Sequence, residues 1–244
     1  MLLSSFMPSR FIPFVFAFAC VGVSPSWGAG VGINATRVIV NQGSQVPPIT
    51  LRNSTDKITY LVQSYLSTDN PQSTASVPFD VLPPMIKMGP NSQQDVRLVE
   101  KEGLTARLPM DRESVFYFHA RAIPNNDLQP IKNPNDNHGM VKIALENVIK
   151  VFYRPTGLTL SATQAQAALV FQWVPSGLKV TNSSPYHVTL AGLTVSNRAI
   201  PVSQQEAMIA PFSERTYPTT DKNGAITWTT INDLGGYDVH HASR

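Results

Sequence analysis

VKIALENVIKVFYRP, residues 141–155, decides the fold. Its first thirteen residues, 141–153, contain neither glycine nor proline and are rich in β-branched and aromatic side chains. Such residues suit a pleated strand better than a helix. At about 3.3 Å per residue that strand would run to about 43 Å, against a usual strand length of about 5–6 residues. The first part alternates, with Val141, Ile143 and Leu145 on one face and Lys142, Ala144 and Glu146 on the other. The second part is apolar on both faces except for Lys150. A long strand with one uncovered apolar stripe and a lysine in its most apolar stretch calls for a partner on each side.

Strand-like runs recur before this segment, at 31–40, 46–52, 57–66, 94–99 and 114–122. Polar turn segments separate them: NQGS (41–44), NSTD (53–56), STDNPQS (67–73) and MGPNS (88–92). Short alternating strands with turn signals at this spacing predict an immunoglobulin-like β-sandwich. PNNDLQPIKNPNDNHG (124–139) reads as a connecting loop. Arg154-Pro155-Thr156-Gly157 ends the run, because proline cannot continue a central strand and glycine supplies a turn. Strands resume at 167–174, 177–182, 187–196 and 225–230, with one helical turn at 162–168 and a tail, 240–244, expected to fray. The chain therefore divides into a first β domain over 30–154 and a second, smaller one over 158–244.

Residues 1–29 stand apart. Arg10 is the only charge before Arg37, and a thirteen-residue apolar run, 11–23, follows it. That run is short for a membrane span of about 20 residues and suits a signal peptide. The single cysteine, Cys20, lies within it, so the mature domains would carry neither a disulfide nor a catalytic thiol. With a net charge of +3 and no Lys/Arg block, nucleic acid is not indicated, and nothing marks a membrane-embedded domain.

The sequence lacks a nucleophile elbow, a P-loop, a dinucleotide-binding glycine motif and a zinc-protease motif. The five histidines are scattered, and His240-His241 would face opposite ways on a strand. No catalytic residue, metal site or cofactor is assigned. Asn34, Asn53 and Asn182 open glycosylation-type triplets, a weak signal. Two cations are harder to place. Arg37 shares its alternation with Val31, Ile33 and Ile39, so it should point to an apolar face, and Lys150 has apolar neighbours on both sides. Such groups are rarely buried unless paired. Each could meet an internal carboxylate, reach water along its stem, or line a cleft that offers positive charge to an anion.

At these residues the chain resembles the periplasmic pilus-assembly chaperones, the PapD-like family of the chaperone–usher pathway. DRESVFYFHARAIP (111–124) and IALENVIKVFYRP (143–155) carry the resemblance, supported by TRVIV (36–40), SPYHVTLAGL (184–193) and INDLGG (231–236). The resemblance implies an all-β protein of two immunoglobulin-like sandwiches in a boomerang arrangement. It implies that Arg37 and Lys150 bind the C-terminal carboxylate of a pilin subunit. It implies that Val141, Ile143 and Leu145 are donated into the groove of that incomplete subunit, and that Glu113, Arg154 and Asp233 bridge the two domains. The implied partners are pilin subunits and an outer-membrane usher, the implied location is the periplasm, and no cofactor is needed. Self-association of the free protein through its apolar strand stays open. The 124–139 loop, with no flanking cysteine pair, fits the short-loop branch of the family, while 204–214 matches it only loosely. Two other classes compete: a secreted immunoglobulin-like adhesin, with both cations internally paired, and a carbohydrate-active β-sandwich enzyme, which would need a carboxylate pair in a cleft.

Overall fold

The structure, a computed structural model, describes residues 30–68, 77–125, 143–221 and 223–242. The leader with Cys20, Val141, and residues 126–139 of the connecting loop lie outside the described residues.

The first half holds β1 (Val31–Ile33), β2 (Arg37–Asn41), β3 (Ile49–Asn53), β4 (Tyr60–Ser67), β5 (Phe79–Leu82), β6 (Met85–Met88), β7 (Ser92–Glu100), β8 (Ser114–Pro124) and β9 (Leu145–Arg154). They form two sheets, ordered β1-β3-β7-β5 and β2-β9-β8-β4-β6. Leu51, Val62, Val96, Phe118 and Val151 are fully buried between them. The second half opens with a short helix, α1 (Ala162–Ala167), held by a reciprocal capping box between Ser161 and Gln164. It continues with β10 (Val170–Val174), β11 (Gly177–Asn182), β12 (Val188–Val195), β13 (Arg198–Ala199), β14 (Met208–Ile209), β15 (Ser213–Tyr217), β16 (Ile226–Ile231) and β17 (Tyr237–His241). The sheets are β10-β11-β15 and β13-β12-β16-β17, with β14 also on β12. A separate core of Leu178, Val188, Leu193, Val195 and Tyr217 fills this half. Among the described residues no strand pairing joins the halves. The chain is all-β, with two packed sandwiches.

Four sequence expectations are corrected. The 31–40 run is two strands in opposite sheets, since the chain crosses over at Asn34, Ala35 and Thr36. That crossing breaks the alternation: Val38 and Val40 enter the core, and Arg37 lies on the opposite face with Ile39. The long strand is β9, ten residues rather than thirteen, and Ile143 precedes it. Its pairing with β8 stops at Leu145 opposite Ala122, two residues before Pro124, which has no N–H to extend a ladder. The tail is not frayed at His240 and His241, which pair with Trp228 and Thr227 in β17.

The fourth correction concerns the glycosylation-type triplets at Asn53 and Asn182. Both side chains are buried, at 0% and 1% exposure, and serve as internal pegs. Asn53 Nδ2 donates to the carbonyls of Ile58 (2.8 Å) and Gly89 (2.7 Å), and its Oδ1 accepts from the Thr55 hydroxyl (2.8 Å). Asn182 Nδ2 donates to Tyr186 (2.7 Å) and Ala210 (2.9 Å), and its Oδ1 accepts from the Ser184 hydroxyl (2.6 Å). The same N-S-T/S device closes a loop in each sandwich. Asn53→Ala or Asn182→Ala should each lower unfolding free energy by about 2–3 kcal/mol, because buried carbonyls lose their donor. Urea melts check this, and wild-type stability in either variant would contradict it.

Candidate functional site

β9 organises the site. It pairs antiparallel with β8 from Leu145 to Tyr153. On its other side β2 runs parallel to it, but only from Lys150 to Arg154. The segment 145–149 therefore presents an unpaired edge among the described residues. Leu145 has the same strand parity as Ile149 and Val151, which pack on and in the core, yet Leu145 is 61% exposed and Ile143 is 66% exposed. The core-facing apolar stripe thus runs on past the end of its own sandwich. Val148, on the opposite face, is also exposed. Exposed apolar edge strands invite another chain to pair with them.

The open edge ends at two cations. The first residue of β2, Arg37, is paired with Lys150 across the ladder. Neighbouring strands lie about 4.8 Å apart, so two like charges are held side by side. No carboxylate among the described residues forms an ion pair with either cation, and Lys150 makes no hydrogen bond to any of them. Arg37 Nη1 donates to the carbonyl of Ile231 at 2.9 Å, while its buried Nε has no partner. Burial, and then the charge of Arg37, lower Lys150 from the ordinary lysine range. Burial also lowers Arg37, against the opposing pull of Asp233 and Glu113. Both cations therefore stand partly desolvated with donors unused, which is the electrostatic condition for holding an anion.

A cavity of about 260 Å³ opens at this point, lined among others by Arg37, Val148, Lys150, Thr189 and Tyr237. On the other side of Lys150 lies a cavity of about 560 Å³, lined in part by Tyr117, Met208 and Arg215. Both cavities take walls from both sandwiches. Thr189 is buried and its hydroxyl has no hydrogen-bond partner. Sequence reasoning missed Thr189 and Tyr237. Thr189 sits in SPYHVTLAGL among buried residues, and nothing in its spacing sets it apart.

Arg154, the last residue of β9, fixes the two sandwiches together. Its Nε and Nη2 both lie 2.8 Å from Glu113 Oε1. Its Nη1 and Nη2 donate to Asp233 Oδ2 and Oδ1 at 2.9 and 3.1 Å. Glu113 Oε2 in turn accepts from the His187 backbone N–H at 2.8 Å. Burial works against the Arg154 charge, but the hydrogen bonds and charges of Asp233 and Glu113 outweigh it and raise Arg154 above the ordinary arginine range. Asp233 is presented by the β16–β17 turn, where Asn232 Oδ1 accepts from the N–H groups of Leu234 (3.2 Å) and Gly236 (2.9 Å). Gly235 has φ +83°, and a Cβ there would collide with the Thr36 hydroxyl. That glycine lets the turn sit against the residue before Arg37. Glu113, Arg154 and Asp233 are thus brought into one network, Arg37 and Lys150 stand side by side across the β2–β9 ladder, and Leu145 lies on the open stretch of the same strand, with Ile143 just before it.

Two family models match the chain: the pili and flagellar-assembly chaperone PapD N-terminal domain over residues 30–159, and the pili assembly chaperone PapD C-terminal domain over residues 164–242. The chain is 31% identical over 217 residues to the probable fimbrial chaperone protein ElfD of Escherichia coli K12, covering 87% of each chain. It is 32% identical over 231 residues to the chaperone protein FimB/FhaD of Bordetella pertussis, covering 91% of each. Among solved structures it resembles the SafB chaperone of Salmonella enterica, determined in complex with the SafA pilin, with a TM-score of 0.73 and 26% identity over 88% of this chain and 96% of that one. It resembles the E. coli chaperone DraB with a TM-score of 0.73 and 27% identity over 88% and 98%.

Proposed function

This chain belongs to the PapD-like family of fimbrial assembly chaperones, and from that premise we propose that it captures pilin subunits by donor-strand complementation and delivers them to an outer-membrane usher. Capture is a binding event and needs neither catalysis nor a cofactor. With the leader expected at residues 1–29, its place of work is the periplasm.

The observation that carries the reading is the open edge of β9 ending at Arg37 and Lys150, neither of which has a carboxylate partner among the described residues. A guest strand laid along 145–149 would lie in line with β2 and end where β2 begins. If it ran parallel to β9, its C-terminus would meet the two cations; if antiparallel, a terminal ammonium would meet them. Charge selects the parallel guest. Its carboxylate fixes the register, which matters because a slip of one residue turns every side chain to the wrong face. Ladder hydrogen bonds then cap the edge, and Ile143 and Leu145 enter the guest's open core. Burying two such side chains is worth about 3–6 kcal/mol before ordering costs. Val141 would extend the stripe by the same alternation.

Leu145→Glu tests the donated strand. The position is exposed, so the variant should fold, yet a carboxylate should be rejected by an apolar groove. Co-expression with a pilin subunit and affinity purification should recover the subunit with the wild type and not with the variant. Equal recovery would remove strand donation from the account.

A further inference from the structure

We propose that Glu146 is a positioning residue for strand donation, which holds the free end of β9 extended and fixes the face it presents before a guest arrives. The proposal rests on the reading that β9 is donated to a subunit. From Lys150 onward β9 is bonded on both edges, to β8 and to β2. Over 145–149, β8 is its one ladder partner among the described residues. Side chains tie this stretch down instead. Glu146 lies opposite Arg121 of β8, whose Nε donates to its Oε1 at 3.1 Å. Tyr65 of β4, on the far side of β8, donates its hydroxyl to the same oxygen at 2.8 Å. His119 Nδ1 stands 3.3 Å from Oε2, and the His119 and Tyr65 rings stack with centroids 4.5 Å apart. On the other face, Asn147 Nδ2 donates to the Val31 carbonyl at 2.6 Å.

The place of this cluster gives it its role. Successive strand residues face opposite ways, so pinning Glu146 to the outer face fixes Leu145 to the other. A slip of β9 by one residue along β8 would set Leu145 opposite Arg121 and turn the Glu146 carboxylate toward the guest's core. Burial opposes the charge of Glu146, but the Tyr65 hydrogen bond, His119 and Arg121 outweigh it and keep the carboxyl below its usual range. The group is therefore ionised at neutral pH, and the slipped register would bury a charge without a partner. The same ties restrict the strand before binding. A guest that meets an extended strand does not have to order it, so that cost is absent from capture. Between Tyr65 and the open edge lie β8 and β9, so the effect of Tyr65 on a guest strand passes through Glu146.

The test joins amide exchange to binding on the intact protein. The probe is a labelled synthetic peptide of alternating valine and serine with a free C-terminal carboxylate, titrated by fluorescence anisotropy. In the free protein, Glu146→Ala should speed exchange of the β8-bonded amides of 145–149 by about tenfold and leave 150–154 unchanged. It should weaken the peptide by about tenfold. Tyr65→Phe keeps the ring stack and loses the hydroxyl. It should weaken the peptide about threefold in the wild type and no further in Glu146→Ala. Glu146→Gln serves in its place if the alanine variant does not fold. Unchanged binding by the Glu146 variant overturns the proposal. So does weaker binding without faster exchange, because Glu146 would then touch the guest itself. An equal loss from Tyr65→Phe in both backgrounds overturns it as well. Failure of the parent reading shows separately: a peptide that protects no amide of 145–149 in the wild type does not pair with the edge, whatever the variants do, and the proposal falls with it.

Discussion

Lys150→Met should lose subunit capture by about 100-fold or more while the free protein becomes more stable. The loss follows from removing a charge-assisted contact of about 1.5–3 kcal/mol and, with it, the register of the guest strand. The gain follows from the free protein's electrostatics. Lys150 is partly buried beside Arg37, with no carboxylate among the described residues in ion-pair contact with it, and its ammonium is depressed by burial and by that neighbour. Replacing it with an apolar side chain of similar length should raise stability by about 1 kcal/mol, as relief of an uncompensated buried charge does. Arg37→Ala should lose capture comparably, without the gain, because Arg37 also donates to the Ile231 carbonyl. Thermal melts beside co-purification separate the outcomes. A Lys150→Met protein that is less stable, or that still captures subunits, contradicts the assignment.

The same depression gives a pH signature with two opposite signs. Between the lowered value in the folded protein and the ordinary lysine value of 10.5, the unfolded chain binds more protons than the folded one. Stability therefore gains from this group as pH rises through that window. Capture runs the other way, since a bound carboxylate favours the charged lysine and binding weakens as the ammonium deprotonates. Lys150→Met should remove both effects.

Arg154→Met should be the most destabilising single change in the cleft, at about 3–5 kcal/mol. It leaves the carboxylate of Glu113, whose side chain is only 2% exposed, without its arginine partner. The His187 backbone N–H would still donate to Oε2, with the His187 ring Nδ1 3.4 Å from the same oxygen, and these contacts limit the loss. Asp233 would also lose its partner and, with it, the tie between the β16–β17 turn and β9. Adding Glu113→Gln should restore much of the stability by removing the stranded charge. It should not restore capture, because the angle between the sandwiches is no longer fixed. A double variant no more stable than Arg154→Met would place the destabilisation elsewhere, and denaturant melts of the single and double variants decide it.

Much of this was legible in the residues. Alternation marked most of the long strands, and the two cations stood out because each sat among apolar neighbours without an obvious acid. What escaped was set by three-dimensional context. Arg37 faces the cleft because the chain changes sheets at residues 34–36, which resets an alternation that looked continuous from Val31 to Ile39. Strands of two residues, such as β13 and β14, carry too few side chains for a period to show. The Asn53 and Asn182 triplets look like surface signals, yet each asparagine closes a loop from inside, a role visible only through its backbone partners.

The most direct measurement is amide hydrogen exchange along β9, comparing the free protein with its complex with a pilin subunit. Guest pairing on the open edge should slow exchange at alternate amides of 145–149, leave 150–154 at its already protected level, and leave the edge of β17 unchanged. A complex in which 145–149 exchanges as fast as in the free protein would mean that the subunit is held elsewhere, and that the open edge ending at Arg37 and Lys150 is not where it binds.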